Sequence, residues 1–314
     1  MTAQARAEQR EPAVEQREPA VEQRGPAVEQ RGPAVEQRGP AVEQVGSAAA
    51  GEAYRFETLT TGMVVQDMQY RHDDLGPGDR VPAFHLVTVD GGGFQSAALG
   101  PLPVLMVFGS RTCPITESAA PQLKALHDRY RNRIRFVMVN TREAHPGELI
   151  TQPRTSADKM EHARDLERHH DLPFEVAVDD LDGTLHRAFS PKPNSAYLID
   201  PNGTILFRAH WANDRRSLEP ALHAAAEGRI PKRGRSRAMV RPLMKAVGHL
   251  PAVVHDAGPK SGRDVWRAAL PLAVLARLSR PFRSLPIDTR GWAAAALLGL
   301  LFVVVVLASV TAVS

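Results

Sequence analysis

Apolar positions recur with two periods along residues 80–230. Phe84-His-Leu-Val-Thr-Val89 alternates as a strand and runs into a glycine-rich turn after Asp90. Val104 to Phe108 is continuously apolar, the pattern of a central strand buried on both faces. Ala119, Leu123, Leu126 and Tyr130 then recur at helical spacing through residues 114–131. A third strand is predicted at 134–139. A charged amphipathic helix follows at 156–170, with Ser156 as its expected N-cap. A short strand is expected at 174–178. A hairpin is expected at 195–209, where two apolar runs meet across Asp200-Pro-Asn-Gly203. A helix over 217–228 is ended by Gly228.

The order β, β, α, β, α, β, β-hairpin, α predicts an α/β class. It is the order of a thioredoxin-like mixed sheet flanked by helices, assigned here to residues 80–230. Residues 54–79 read as a lead-in. Residues 231–290 read as a basic linker broken by proline and glycine, closing with a juxtamembrane amphipathic segment. In that segment Trp266, Leu270, Val274 and Leu278 share one side, and Arg267, Arg277, Arg280 and Arg283 lie nearby. From Gly291 to Ser314 no side chain is charged. That run is long enough to cross a hydrocarbon core of about 30 Å, so it is expected to be a transmembrane anchor. Arginines on its N-terminal side place the folded domain in the cytoplasm by the positive-inside rule.

The N-terminal stretch 1–53 has a different pattern. EQREPAV and EQRGPAV units repeat every seven residues, but Pro12, Pro19, Pro26, Pro33 and Pro40 deny them a coiled coil. Each proline removes a helix hydrogen bond and costs about 3 kcal/mol. With one valine per unit there is little core to bury, and a disordered, partly polyproline-II arm is expected. The start of the chain is polar, without the apolar segment of a signal peptide.

Composition changes the picture at one point. The 314 residues carry a formal charge of +4 and a single cysteine, Cys113. One cysteine excludes an intramolecular disulfide and any multi-cysteine zinc site, and it suits a reducing compartment. It lies in "FGSRTCPIT", between a predicted central strand and a helix. A thiol there faces free N–H groups, which favour the thiolate and lower the pKa. Pro114 suits the first helical position, and Arg111 is expected to add positive charge. Cys113-Pro-Ile-Thr116 is similar to the Cys-Pro-x-Cys of thioredoxin-like proteins, with threonine in place of the second cysteine. Pro193 stands where such folds keep a cis-proline facing the cysteine. Without a resolving thiol, oxidised Cys113 needs an external thiol reductant.

A second motif, "VNTREAHPGE" at 139–148, sharpens the resemblance. Phe108, Gly109, Ser110, Thr112, Cys113 and Pro114, followed by Glu143, Ala144, His145 and Pro146, resemble the iodothyronine deiodinase family, with cysteine in place of selenocysteine. The resemblance spans residues 80–228. It implies Cys113 as nucleophile, His145 as proton donor and Glu143 as the group that orients it. It also implies no bound cofactor. Three departures stand out. The nucleophile is sulfur, a further family histidine after the second motif has no match, and the anchor is C-terminal. Independently of the resemblance, Glu143 and His145 follow a central strand, on the edge where open α/β sheets place ligands.

The implied activity is a thiol-dependent oxidoreductase attacking an aryl halide or another soft electrophile. A one-cysteine peroxidase and a non-catalytic, membrane-tethered binding module are the alternatives. The expected partners are a small-molecule electrophile, a thiol reductant or reductase, and the lipid bilayer, with a homodimer left open. The basic stretch 232–245 is expected to meet anionic lipid rather than nucleic acid. "VAVDDLDGTLH" at 176–186 looks like a phosphatase motif built on Asp180 and Asp182, but it reads as an Asp-Gly turn. His162, His169 and His170 read as a solvated helix face rather than a metal site.

Overall fold

The structure, a computed structural model, describes residues 54–313. The repeat arm and its expected disorder lie outside the described residues. An eight-stranded sheet has the order β2-β1-β5-β4-β3-β6-β7-β8. Its strands are β1 (His85–Thr88), β2 (Gly93–Gln95), β3 (Val104–Gly109), β4 (Arg135–Asn140), β5 (Glu175–Val178), β6 (Ala196–Ile199), β7 (Ile205–Ala209) and β8 (Arg235–Ser236). β3 pairs in parallel with β4 and antiparallel with β6, and β6 pairs antiparallel with β7. With α2 (Pro114–Tyr130) after β3, α3 (Ser156–His170) after β4 and α5 (Arg215–Ala226) after β7, this is a thioredoxin-like sheet. All six residues of β3 are buried, as their unbroken apolar run requires. One core layer joins Leu105, Leu123, Leu126, Met138 and Phe207; the opposite layer joins Met106, Phe108, Val139 and Tyr197.

Local details depart from the sequence reading. Thr155, not Ser156, caps α3, in a reciprocal capping box with Asp158. The lead-in contains a helix, α1 (Thr61–Met68), capped by the Thr60 hydroxyl. The 176–186 motif forms a turn: Asp180 accepts from the backbone N–H groups of Asp182 and Thr184, and α4 (Thr184–Phe189) follows.

The larger departure is in residues 231–290, which are not a linker. They fold into α6 (Val240–Ala257), α7 (Pro259–Ala268) and α8 (Leu270–Ser279). Pro242 lies in the first turn of α6, where its missing N–H breaks no helical bond. Pro251 is internal. Its cost is offset by an apolar stripe, Met244, Val247, Leu250 and Val253, buried at helical spacing. The expected stripe of the amphipathic segment is not the one that packs. Val265, Ala268, Ala273 and Ala276 are buried, while Trp266 and Leu270 are exposed.

α9 (Ile287–Val313) begins against α6. A Cβ on Gly291 would lie 2.1 Å from the Met244 carbonyl oxygen, and one on Gly248 2.1 Å from that of Ile287, so only glycine permits this approach. Ile287–Thr311 is long and apolar enough to cross a membrane.

Candidate active site

The strand-to-helix junction places Cys113 as predicted. It is the N-cap of α2, with Pro114 as the first helical residue. The Thr116 N–H donates to Cys113 Sγ at 3.5 Å. Thr116 Oγ1 in turn accepts from the Ser110 N–H at 3.4 Å and from Asn194 Nδ2 at 3.0 Å. Asn194 also donates to the Phe108 carbonyl at 2.8 Å, so the segment after Pro193 is stitched to the end of β3.

The thiol is not exposed. It is 1% accessible and packs with Ile115, Trp211 and Ala246, the last from α6. A narrow cavity of 70 Å³ reaches it, lined also by Asp67, Ile115, His145, Pro193 and Leu250. Burial pushes the thiol up to about 11. The Thr116 side chain and, as the sequence suggests, the helix N–H groups pull the other way, but desolvation of the thiolate outweighs them. This overturns the expected depressed pKa. Arg111 does not supply the expected charge either. Its guanidinium pairs with Asp256 of α6 at 2.8 Å and Asp165 of α3 at 3.5 Å, pinning the covering helix. The alkylation rate of the resting protein should therefore rise with pH without an inflection near the free-thiol value of about 8.5. Iodoacetamide kinetics across that range check this, and an inflection there would show a solvated thiol.

His145 lines the same cavity. Its backbone N–H donates to Thr112 Oγ1 at 3.1 Å, and its backbone carbonyl accepts from the Ser261 hydroxyl of α7 at 3.1 Å. Its Nδ1 is buried without a partner, and desolvation lowers the ring to about 4, so it is neutral at pH 7.

Glu143 does not hold His145. It is fully buried, and its carboxylate accepts from the Thr112 N–H at 2.8 Å, the Thr112 hydroxyl at 2.7 Å and His162 Nδ1 at 2.9 Å. Burial alone would raise its pKa, but these donors, His162 first, hold it below the usual glutamate value. Glu143 thus ties the loop before Cys113 to the loop that carries His145, through Thr112. His162 belongs to this network rather than to a solvated face. His169, which is exposed as expected, and His170, which is buried, both face Glu117 of α2.

Asp67 was missed by the sequence reading. It lies one turn after Met63 on the packed side of α1, a carboxylate on an otherwise apolar face. That local oddity was the available signal. Burial raises it to about 6 against the pull of Arg142 and Lys192, and its charge in turn raises the Cys113 thiol. The site therefore joins one thiol, one neutral imidazole and one carboxyl that ionises near pH 6 at an apolar cavity.

No family model matches the chain, and no curated protein matches it. Solved structures do align with it. An uncharacterized conserved protein from Geobacillus kaustophilus is 20% identical over 52% of this chain and 89% of its own, with a TM-score of 0.43. The thioredoxin domain of a thiol-disulfide oxidoreductase from Bacteroides vulgatus is 16% identical over 42% and 86%, with a TM-score of 0.34. A secreted disulfide oxidoreductase from Mycobacterium tuberculosis is 20% identical over 39% and 79%, with a TM-score of 0.31. The deiodinase resemblance rests on the two sequence motifs alone.

Proposed function

We propose that the protein is a thiol-dependent oxidoreductase in which Cys113 attacks a small apolar electrophile, an aryl halide in the deiodinase-like reading. The observation that carries this is the cavity shared by Cys113, His145 and Asp67. Asp67, ionised at neutral pH, accepts the thiol proton. The thiolate electron pair attacks the halogen, the carbon–halogen bond breaks with its electrons left on carbon, and His145 relays the proton to that carbon. The products are the dehalogenated substrate and a sulfenyl halide on Cys113. One external thiol displaces halide to give a mixed disulfide and an acid equivalent. A second thiol releases Cys113 and leaves with the first as a disulfide.

The 70 Å³ cavity favours a second reading with a smaller substrate. In it, a hydroperoxide loses its distal oxygen to the thiolate, giving a sulfenic acid and an alcohol, and two external thiols restore Cys113 with release of water. The full-length protein in detergent, given excess dithiol and either an iodinated phenol or an alkyl hydroperoxide, separates the two. Iodide release that falls about 10²–10⁴-fold in His145→Ala supports the first. Peroxide consumption that depends on Cys113 and ignores His145 supports the second. No turnover of either substrate by folded protein leaves the binding module.

α9 is further proposed as a membrane anchor, with the domain on the cytoplasmic side. Its exposed apolar surface from Leu298 to Val310, and the exposed Trp266 and Trp292 among arginines, suit a bilayer and its interface. The protein should stay in the membrane fraction through a carbonate wash, and its domain should be cut by protease added to the cytoplasmic face. Release by carbonate, or protection from that protease, would reject the assignment.

A further inference from the structure

Away from the thiol cavity, α2 and the end of α3 bring three ligand-type side chains together. One ligand atom from each of Glu117, His169 and His170 lies within 4.8 Å of the others. His169 Nε2 is 2.9 Å from Glu117 Oε2, and His170 Nε2 is 3.9 Å from the same oxygen, too far for a hydrogen bond. The His170 side chain is only 4% exposed, and its Nε2 has no hydrogen-bond partner. A buried imidazole nitrogen aimed at a carboxylate and bonded to nothing carries a desolvation cost that a bound ion would offset.

We propose that Glu117, His169 and His170 form a binding site for a divalent transition-metal ion of the zinc class, with a fourth position left to water. The geometry needs little adjustment. Tetrahedral zinc with bonds of about 2.0–2.2 Å sets its ligand atoms about 3.4 Å apart, between the two separations seen here. Two imidazoles beside one carboxylate select zinc-like ions over magnesium or calcium, which prefer all-oxygen sites. The neighbouring cations are already neutralised. Arg111 is paired with Asp165 and Asp256, and Lys124 with Asp171. Glu117 lies one turn after Cys113, so the ion would tie the start of the thiol-bearing helix to the last turn of α3.

The test is a zinc titration of metal-stripped, full-length protein in detergent against a chromophoric chelator. One tight equivalent is expected, accompanied by a rise in melting temperature. Glu117→Gln, His169→Ala and His170→Ala should each weaken it by more than about ten-fold. His223→Ala, at an exposed histidine on α5 paired with Glu227, should leave it unchanged. Glu117 and His169 are the more accessible ligands, so their variants keep the test valid if His170→Ala fails to fold. Absence of a saturable equivalent, or an equivalent that survives the substitutions at Glu117 and His169, would overturn the site.

Discussion

Replacing Cys113 with serine should reduce thiol-dependent turnover by about 10³-fold or more, while replacing His145 with alanine should cost about 10²–10⁴-fold. The asymmetry follows from the roles. Serine keeps the N-cap geometry of α2, because its oxygen can still accept from the Thr116 N–H, so the fold should survive. What serine lacks is a polarizable nucleophile: an alcohol in this dry cavity has no accessible anion. His145→Ala leaves the thiol in place and removes only a proton relay, with Asp67 still available across the cavity. The two losses should not add in the double variant, because both act on one step. The measurement is steady-state product release with excess dithiol, alongside a melt of each variant. Retained turnover in a folded Cys113→Ser protein would remove Cys113 from the mechanism.

The largest effect on stability is expected at Glu143. Its carboxylate satisfies the Thr112 N–H, the Thr112 hydroxyl and the His162 ring from a fully buried position. Glu143→Ala strands these donors and should cost about 3 kcal/mol, or a fall in Tm of about 10 °C. The pH dependence checks the cause. Because the folded pKa lies below the ordinary glutamate value, the contribution is fully present above about pH 4.3 and is lost as pH falls through the lower folded value. The gap between parent and variant should therefore narrow in acid. A gap that does not change with pH would mean that the cavity, not the charge, is responsible.

Much of the framework is legible locally. The unbroken run of β3, the helical spacing in α2, and the Asp-Pro-Asn-Gly turn between β6 and β7 each depend on near neighbours in the chain, and each formed where expected. Cys113 at the head of a helix was legible for the same reason. The cap was not. Basic residues, prolines and glycines in 231–290 masked the stripe from Met244 to Val253, which has meaning only against the surface it covers. Glu143 and His145, two residues apart, suggested a pair, yet the carboxylate turns inward to Thr112 and His162.

The sequence by itself determined the succession of the central strands and helices along the chain, the anchor-length apolar helix and the position of the single thiol, because periodicity and turn chemistry act over a few residues. Only the tertiary structure decided the state of that thiol. Two opposing effects act on Cys113, helix N–H groups that favour the anion and desolvation that opposes it, and their balance depends on Ala246 of a helix more than 130 residues away. Burial wins because the apolar covering helix removes water from the thiolate at greater cost than weak hydrogen bonds to sulfur return.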